Sequence, residues 1–106
     1  MTLESTLEHT GCACLLNLGA FPVKRGQDSE PDREVLWGKG RHFWIEFKKP
    51  GGGRIRPGQA TYAKYLLGIG DEVHFINDMQ QLRNVIDRWI STHGMPTASR
   101  DRVFNP

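Results

Sequence analysis

The stretch of sequence that decides the fold is Pro31-Asp32-Arg33-Glu34-Val35-Leu36-Trp37-Gly38-Lys39-Gly40-Arg41-His42-Phe43-Trp44-Ile45-Glu46-Phe47-Lys48-Lys49. Two runs rich in β-branched and aromatic residues, 35–37 and 41–47, flank the short segment Gly38-Lys39-Gly40. Such residues fit the pleated surface of a strand, and glycine supplies the backbone conformations of a tight turn. The stretch therefore predicts a β-hairpin, which Pro31 opens at a position where its missing N–H does no harm.

Charged residues occupy the open end of this hairpin: Asp32, Glu46 and Lys48. If 38–40 form the loop and the residues flanking it pair, counting outward places Asp32 directly opposite Glu46, with Cβ atoms about 4.5–5.5 Å apart. Lys48 projects from the same face as Glu46 because side chains alternate along a strand. A four-residue loop would instead shift the pairing by one and send the acids to opposite faces. Spacing alone leaves open a solvated face of an edge strand and a site built from two acids and a lysine.

Hydrophobic periodicity and turn residues predict the elements around the hairpin. The first helix has the S-x-x-E form of a capping box at Ser5-Thr6-Leu7-Glu8. In chain order we expect a helix over 6–18, a strand over 21–24, the two hairpin strands, a helix from Pro57 to about Gly70, a strand over 73–76, and a helix from Asn77 or Asp78 to about residue 90. The predicted fold class is α/β, in the order α-β-β-β-α-β-α with a mixed sheet. We expect one domain over 1–91 and a polar C-terminal tail over 92–106.

Composition restricts the class of protein. The chain has 106 residues, of which 38% are hydrophobic and 25% charged, as is typical of one globular domain. No apolar run approaches the ~20 residues that a membrane span needs, and we expect a soluble, cytoplasmic protein without membrane association. Cys12 and Cys14 lie two apart in a helical pattern, so we expect reduced, structural cysteines. The four histidines lack metal-ligand spacing, which argues against zinc.

Basic residues are concentrated in one segment of the chain. Although the net charge is only +2, residues 39–64 contain seven lysines and arginines and a single acid, Glu46. Such an excess suits a polyanion such as nucleic acid, whose phosphates dominate binding affinity. An ordinary solvated basic face is the competing interpretation, and composition does not separate the two.

A longer motif surrounds the hairpin acids. Asp32 after Pro31, followed by Glu46-Phe47-Lys48, resembles the PD-(D/E)xK nuclease superfamily. The extended pattern over about 5–90 is similar to the virus-type replication-repair nuclease (VRR-NUC) domain. Its further matching positions are Ser5-Thr6-Leu7-Glu8, Gly19, Lys24, Ile45, Lys49-Pro50-Gly51-Gly52, Arg56-Pro57-Gly58-Gln59, Leu66, Gly70 and Val73. The chain departs from the family in Ser29-Glu30-Pro31-Asp32, where relatives often carry glycine two residues before the aspartate.

The resemblance implies a restriction-endonuclease-like core that binds Mg²⁺ or Mn²⁺. Its metal ligands would be Asp32, Glu46, the backbone carbonyl of Phe47, and Glu8 on the first helix. Lys48 would be the catalytic lysine, and Gln59 the family's glutamine at the start of the second helix. Hard oxygen ligands and a lysine suit phosphodiester hydrolysis, because a cation held by carboxylates can activate water and stabilise developing negative charge.

Some of these residues have plainer interpretations. Glu8 also fits the third position of a capping box, and Glu4 competes with it as the helix acid at the site. Gln59 also fits a solvent-facing helix position. Lys24 fits both a phosphate contact and a lysine that protects a strand edge.

The basic residues that we expect to contact DNA are Lys24, Lys49, Arg54 and Arg56. The glycines at 51–53 are not followed by GK[ST], so we expect a flexible turn and no nucleotide cofactor. The resemblance implies a metal-dependent endonuclease that cuts branched, Holliday-junction-like DNA as a homodimer. Alternatives are a flap or nicked-duplex nuclease of the same superfamily, a sequence-specific or exonucleolytic member, and an inactive nucleic-acid-binding accessory module.

Overall fold

The computed structural model describes residues 2–98 of the chain. Its elements follow the predicted order, and the sheet is mixed, so the predicted fold class is confirmed. They are α1 (Leu3–Leu18), β1 (Phe21–Lys24), β2 (Arg33–Gly38), β3 (Arg41–Phe47), α2 (Pro57–Gly68), β4 (Val73–Ile76) and α3 (Met79–His93). Within residues 2–98, no helix combines the length and the apolar character needed to cross a bilayer.

The four strands lie in the order β1-β2-β3-β4. The first three form an antiparallel meander, and β4 runs parallel to β3, with α2 in the connection between them. Phe43, Ile45 and Phe47 project from β3 into a hydrophobic core that residues of α1 and α3 complete. The alternate residues of β3, including Glu46, project to the other face, where Gln59 of α2 donates a hydrogen bond to Glu46. The sheet therefore separates an apolar face from the face that carries the hairpin acids.

The turn of the hairpin differs from the prediction. The loop has two residues, Lys39 and Gly40, both with positive φ (57° and 78°), as a type I′ turn requires. Gly38 pairs with Arg41, so the predicted pairing of Trp37 with Arg41 is wrong. Trp37 is instead an extra residue in β2, a β-bulge.

The bulge returns the hairpin to the predicted register. Leu36 pairs with His42, and the pairing continues regularly to Arg33 and Ile45. One residue further along, Asp32 lies opposite Glu46, as predicted. A two-residue turn without the bulge would have shifted every pair by one and sent the two acids to opposite faces.

Helix α1 begins earlier than predicted. Its N-cap is Thr2, whose hydroxyl accepts a hydrogen bond from the Ser5 amide at 3.0 Å. The predicted capping box at Ser5 is therefore wrong, because Ser5 lies inside the first turn and its hydroxyl donates to the Thr2 carbonyl. Two hydroxyl residues three apart compete as caps, and the outer one gives the longer helix. The predicted end is confirmed: the helix stops before Gly19, whose φ of 104° suits glycine.

The starts of the other two helices agree with the predictions. Helix α2 begins at Pro57 as predicted, and α3 is capped by Asp78, whose carboxylate accepts from the Gln81 amide at 2.8 Å. Helix α3 runs to His93, so residues 92–93 are helical and not part of a tail.

The segment after α3 lies along the hairpin. The Trp37 indole donates to the Gly94 carbonyl at 3.0 Å, and the Thr97 amide donates to the Trp37 carbonyl at 2.7 Å. The remainder of the predicted tail, 99–106, with Val103-Phe104, lies outside the described residues.

A close approach in the core explains one glycine. A Cβ added at Gly11 of α1 would lie 3.0 Å from Leu82 Cδ2 and 3.1 Å from Phe47 Cε1. These distances are shorter than ordinary carbon contacts, so a larger residue would push α1 away from α3 and the sheet. Gly11 thus permits the packing that holds the core face of β3.

Glu72, just before β4, ties the sheet to α3. Its carboxylate accepts hydrogen bonds from Arg88 at 2.7 Å and from the Trp89 indole at 2.9 Å, and it lies 2.6 Å from His74 Nε2. The hydrogen bond from Arg88 lowers the pKa of Glu72 to about 2; burial opposes this shift, and Trp89 and His74 reinforce it. A carboxyl whose pKa is lower in the folded state stabilises the fold above its ordinary pKa of 4.5 and loses this effect as the pH falls toward 2.

We therefore predict that Glu72→Gln lowers the free energy of unfolding at pH 7 by about 1 kcal/mol, a modest value because the side chain is 37% exposed and screened by solvent. The difference between the two proteins should shrink as the pH falls from 5 to 2. Denaturant unfolding at several pH values measures it. Asp87→Asn, which changes an exposed acid on α3, is the control, and an equal effect of both substitutions would contradict the prediction.

Candidate functional site

The two hairpin acids lie side by side, and each accepts a hydrogen bond from a backbone amide of the opposite strand. The Asp32 amide donates to Glu46 Oε1 at 3.1 Å, and the Phe47 amide donates to Asp32 Oδ2 at 2.8 Å. Both carboxylates are thus fixed to the sheet rather than carried on mobile side chains. Glu46 is only 4% exposed, so the predicted alternative of a solvated strand face does not describe this residue.

Lys48 and Gln59 complete this arrangement. The Lys48 ammonium donates to Gln59 Oε1 at 2.6 Å and lies 3.3 Å from Glu46 Oε2. The side-chain nitrogen of Gln59, Nε2, donates to Glu46 Oε2 at 2.6 Å. Gln59 is therefore half-buried and bridges the acid and the base, in contrast to the solvent-facing position considered for it. Its Oε1 also accepts from the Arg56 amide at 3.1 Å, which links the first turn of α2 to the site.

Burial and like charge act on the two carboxyl groups in the same direction. Burial raises the pKa of Glu46, the negative charge of Asp32 raises it further, and Lys48 acts in the opposite direction. Burial also raises the pKa of Asp32, against the hydrogen bond from the Phe47 amide. Lys48 alone therefore does not offset the negative charge of the ionised pair, and a bound cation would favour the ionised form.

The acid of α1 that joins the pair is Glu4. Carboxylate oxygens of Glu4, Asp32 and Glu46 all lie within 4.8 Å of one another. Glu8, which the sequence suggested as the helix acid, lies one turn further along and accepts from Arg33 at 2.8 Å and from Lys24 at 3.2 Å. Of the two helix acids that the sequence left open, the structure groups Glu4 with the hairpin pair.

The sequence favoured Glu8 because this residue matches the acidic position of the VRR-NUC pattern, and the helix was predicted to start after Glu4. With the helix start at Leu3, Glu4 lies in the first turn. Residues four apart share a helix face. Glu4 was therefore detectable as an acid on the same face as Glu8, one turn nearer the hairpin end.

The residues present fit a divalent cation. Three carboxylates whose oxygens lie within 4.8 Å of one another could provide the hard oxygen donors that Mg²⁺ and Mn²⁺ prefer. Glu46 Oε2 accepts from both Lys48 and Gln59, whereas Glu46 Oε1 and Asp32 Oδ2 each accept from only one backbone amide, so Glu46 Oε1, Asp32 and Glu4 would supply the donors to a cation. The role of the Phe47 carbonyl stays a prediction, since the contact described for this residue involves its amide.

These residues line a cleft of about 500 Å³ that also carries basic side chains. Its acids come from α1, the β1–β2 loop and the hairpin, and its cations come from the end of β3 and the loop before α2. The acidic residues are Glu4, Glu30, Asp32 and Glu46, and the basic ones are Lys48, Lys49, Arg54 and Arg56. Three of the four predicted DNA contacts, Lys49, Arg54 and Arg56, are thus exposed at the rim. Lys24 pairs with Glu8 instead, and its contact with DNA stays a prediction.

Two close approaches that the sequence did not reveal shape this cleft. A Cβ at Gly53 would lie 2.6 Å from the Lys49 nitrogen and 2.9 Å from Lys48 Cβ, so the loop after β3 folds back onto the lysine. A Cβ at Gly58 would lie 2.6 Å from Ser29 Oγ, so the β1–β2 loop packs on the start of α2. The glycine run at 51–53 is a hydrogen-bonded turn on the Lys49 carbonyl, where a flexible turn was predicted.

We predict that Mn²⁺ raises the melting temperature of the protein at pH 7, because a ligand that binds only the folded state stabilises it. At a concentration 100 times the dissociation constant, the gain is about 2.7 kcal/mol, or about 10–20 °C for a domain of this size. Asp32→Asn should remove most of the shift, and Glu4→Gln should reduce it. Differential scanning fluorimetry with and without Mn²⁺ measures each change.

Two substitutions serve as controls for this measurement. Glu30→Gln alters an acid of the same cleft outside the group of three, and Glu8→Gln alters the helix acid that pairs with Arg33. Both should keep the full Mn²⁺-induced shift. A shift that survives in Asp32→Asn, or one that depends on Glu8 and not on Glu4, would contradict the assigned donor set.

No family model matches this chain, and no curated protein matches it. A function must therefore be argued from the side chains and their geometry. The arrangement is a buried carboxylate, Glu46, beside a half-buried one, Asp32, with a glutamine that joins Glu46 to a lysine and a third carboxylate within reach, in a cleft that also carries exposed cations.

Proposed function

We propose that this protein is a Mg²⁺- or Mn²⁺-dependent DNA endonuclease of the PD-(D/E)xK type, related to VRR-NUC domains, with a restriction-endonuclease-like core. The observation that carries the proposal is the convergence of Asp32, Glu46 and Lys48 in one cleft, with Gln59 bonded to both Glu46 and Lys48. These residues follow the order of the motif and also meet in space. A site of this kind suits hydrolysis of phosphodiester bonds.

The residues of the chain would divide the chemistry between them. A bound divalent cation, held by Asp32, Glu46 and Glu4, would supply a water of lowered pKa and positive charge beside the scissile phosphate. Gln59 and Glu46 hold the Lys48 ammonium in position. Ammonium has three donors, and the described contacts of Lys48 with these two residues leave one to orient the attacking water or to bind a phosphate oxygen.

The rim of the cleft would hold the DNA backbone. Lys49, Arg54 and Arg56 line the cleft and are exposed, so their cations can contact phosphates on either side of the scissile bond. The carboxylate of Glu30, which also lines the cleft, repels phosphate, so the scissile strand would follow the cations. Binding should therefore weaken with rising salt concentration.

We further propose that the substrate is branched DNA, such as a four-way junction, and that the enzyme acts as a homodimer. A two-fold dimer presents two active sites in opposed orientation, which suits paired cuts across a symmetric junction. The end of α2 supports contact with a second copy, because Tyr65 and the C-cap residue Ile69 lie four apart on one side of the helix and are 73% and 76% exposed, and Lys64 is the only charged residue within Pro57–Gly68. Apolar and aromatic side chains with few charges are typical of the core of such an interface.

The first prediction of the proposal concerns cleavage. The protein, incubated with labelled four-way junction, flap, nicked and plain duplexes, should cut in Mg²⁺ or Mn²⁺ and not in EDTA. Lys48→Ala should lower the cleavage rate at least about 100-fold, the usual effect of losing a transition-state donor. Binding to the junction should remain, since the rim is unchanged. Arg83→Ala, at an exposed cation on α3, is the control.

The outcomes distinguish the candidate functions. Preference for the junction supports the proposal, whereas preference for the flap or nicked duplex identifies the related nuclease. Binding without cleavage of any substrate identifies an inactive accessory module and sinks the enzyme proposal. Undiminished cleavage by Lys48→Ala would remove this lysine from the mechanism.

The second prediction concerns the dimer. Light scattering should give twice the 12.0 kDa of one chain. Ile69→Glu should halve this mass, because a carboxylate buried between apolar surfaces is strongly unfavourable. Leu16→Glu, at an exposed apolar position on α1, is the matched control. A mass of one chain for the unaltered protein would contradict the proposed dimer.

A further inference from the structure

A second cluster of charged side chains lies on the sheet face that carries the hairpin acids. At its centre is His42 of β3, which is half-buried. Its Nδ1 lies 2.6 Å from Glu34 Oε2, and its Nε2 lies 3.1 Å from Asp71 Oδ1. Glu34 belongs to β2, and Asp71 lies in the connection from α2 to β4. Each ring nitrogen of one histidine is therefore in contact with a carboxylate.

This geometry requires the charged form of His42. An ionised carboxylate only accepts hydrogen bonds, so each ring nitrogen must carry a hydrogen, which makes the ring an imidazolium. A neutral imidazole has a single N–H, and its other nitrogen would direct a lone pair at a carboxylate oxygen. Loss of the proton from His42 therefore breaks one of its two contacts.

No other group in contact with these carboxylates replaces that proton. The polar groups that face the cluster come from the elements packed around it: Arg25 after β1, Trp44 on β3 and Tyr62 of α2. Arg25 donates to Glu34 Oε1 at 2.7 Å, and the Trp44 indole donates to Asp71 Oδ2 at 3.0 Å. With Arg25 and His42 both charged, the two carboxylates are balanced. One negative charge is in excess once His42 is neutral.

The environment of His42 favours its protonated form near neutral pH. Burial lowers the pKa of His42, but the hydrogen bond to Glu34 and the charge of Asp71 outweigh burial, so the pKa lies above its ordinary value of 6.5. A histidine whose pKa is higher in the folded state stabilises the fold fully below pH 6.5 and loses this effect as the pH rises through the raised pKa. The contacts of His42 are therefore lost on the alkaline side of neutrality.

The cluster joins the hairpin to the end of α2. The Asp71 amide donates to the Leu66 carbonyl at 2.9 Å, which ties Asp71 to the last turn of the helix. The carboxylate of Asp71 contacts His42 and Trp44, both on β3. At its start, α2 is held to the hairpin through Gln59. Polar contacts thus hold α2 to the hairpin at both ends, and at its C-terminal end one of them requires a proton.

We propose that His42 is a pH-sensitive latch, which holds the end of α2 on the hairpin when protonated and releases it when the proton is lost. The released helix carries Gln59, so opening of the latch loosens the contact that holds Lys48 in the candidate site. The consequence for cleavage rests on the proposed nuclease function, whereas the latch itself does not.

The first test follows protonation by NMR of the unaltered protein. The ring nitrogens of His42 should show an imidazolium at pH 6 and a pKa above 6.5, which Asp71→Asn and Glu34→Gln should each lower. The indole signal of Trp44, which donates to Asp71, should shift with the same midpoint, whereas that of Trp37, which donates to a backbone carbonyl, should not. A neutral ring at pH 6, or a Trp44 signal that does not follow His42, overturns the inference.

The second test measures release of α2 by hydrogen exchange. His42→Arg keeps a cation between the carboxylates at every pH, because guanidinium has five donors and stays charged. At pH 6, the amides of residues 69–71 should exchange equally in this variant and the unaltered protein. At about two pH units above the midpoint of His42, they should exchange at least about fivefold faster in the unaltered protein.

Comparison at one pH removes the intrinsic pH dependence of exchange. His9→Gln, at an exposed histidine on α1, is the control and should behave as the unaltered protein does at both pH values. Equal exchange in His42→Arg and the unaltered protein above the midpoint would show that His42 does not hold α2.

The third test separates the latch from the proposed function. On the junction, the unaltered protein and His42→Arg should have equal kcat at pH 6, and above the midpoint the unaltered protein should be at least about threefold slower. If exchange shows the latch and cleavage stays equal, only regulation of the site is lost. If the unaltered protein cuts nothing, the nuclease proposal is lost, and the NMR and exchange measurements still decide whether His42 is a latch.

Discussion

The burial of two like charges at the open end of one hairpin is the constraint on which the rest of the structure depends. Asp32 and Glu46 each accept a backbone N–H from the opposite strand, which partly replaces the water that they lose. Lys48 brings one positive charge against two carboxylates. This imbalance is unfavourable for the chain alone and favourable for a divalent cation, which is the physical argument for interpreting the cluster as a metal site.

Gln59 links this cluster to the first turn of α2. A carboxamide donates at one end and accepts at the other, so it can bond an acid and a base at once. Gln59 bonds Glu46 and Lys48 in this way and also accepts from Arg56. The start of α2 is thus joined to the hairpin end, and the backbone that carries Arg56 is tied to the carboxylates. Catalysis and DNA contact would therefore share one rigid support.

The hairpin shows how much of the site could be predicted from the sequence. Alternation and turn counting placed Asp32 opposite Glu46, and this prediction is confirmed. The predicted turn is only partly right. It is one residue shorter than predicted, and the β-bulge at Trp37 restores the predicted register. Turn residues with positive φ are visible in a sequence as glycines, but a bulge leaves no comparable signature. The face occupied by Asp32 was therefore predicted correctly only because the bulge offset the error in turn length.

The sequence by itself determined the order of the elements, the mixed sheet and the residues of the hairpin site, because periodicity, glycines and prolines act over a few residues. Only the tertiary structure decided that α1 begins at Leu3, that Glu4 rather than Glu8 joins the carboxylates, and that Gln59 is half-buried. Each of these depends on which helix face meets the sheet and at what height. Such choices are set by packing between segments distant in sequence, as at Gly11, and local propensity is too weak to specify them.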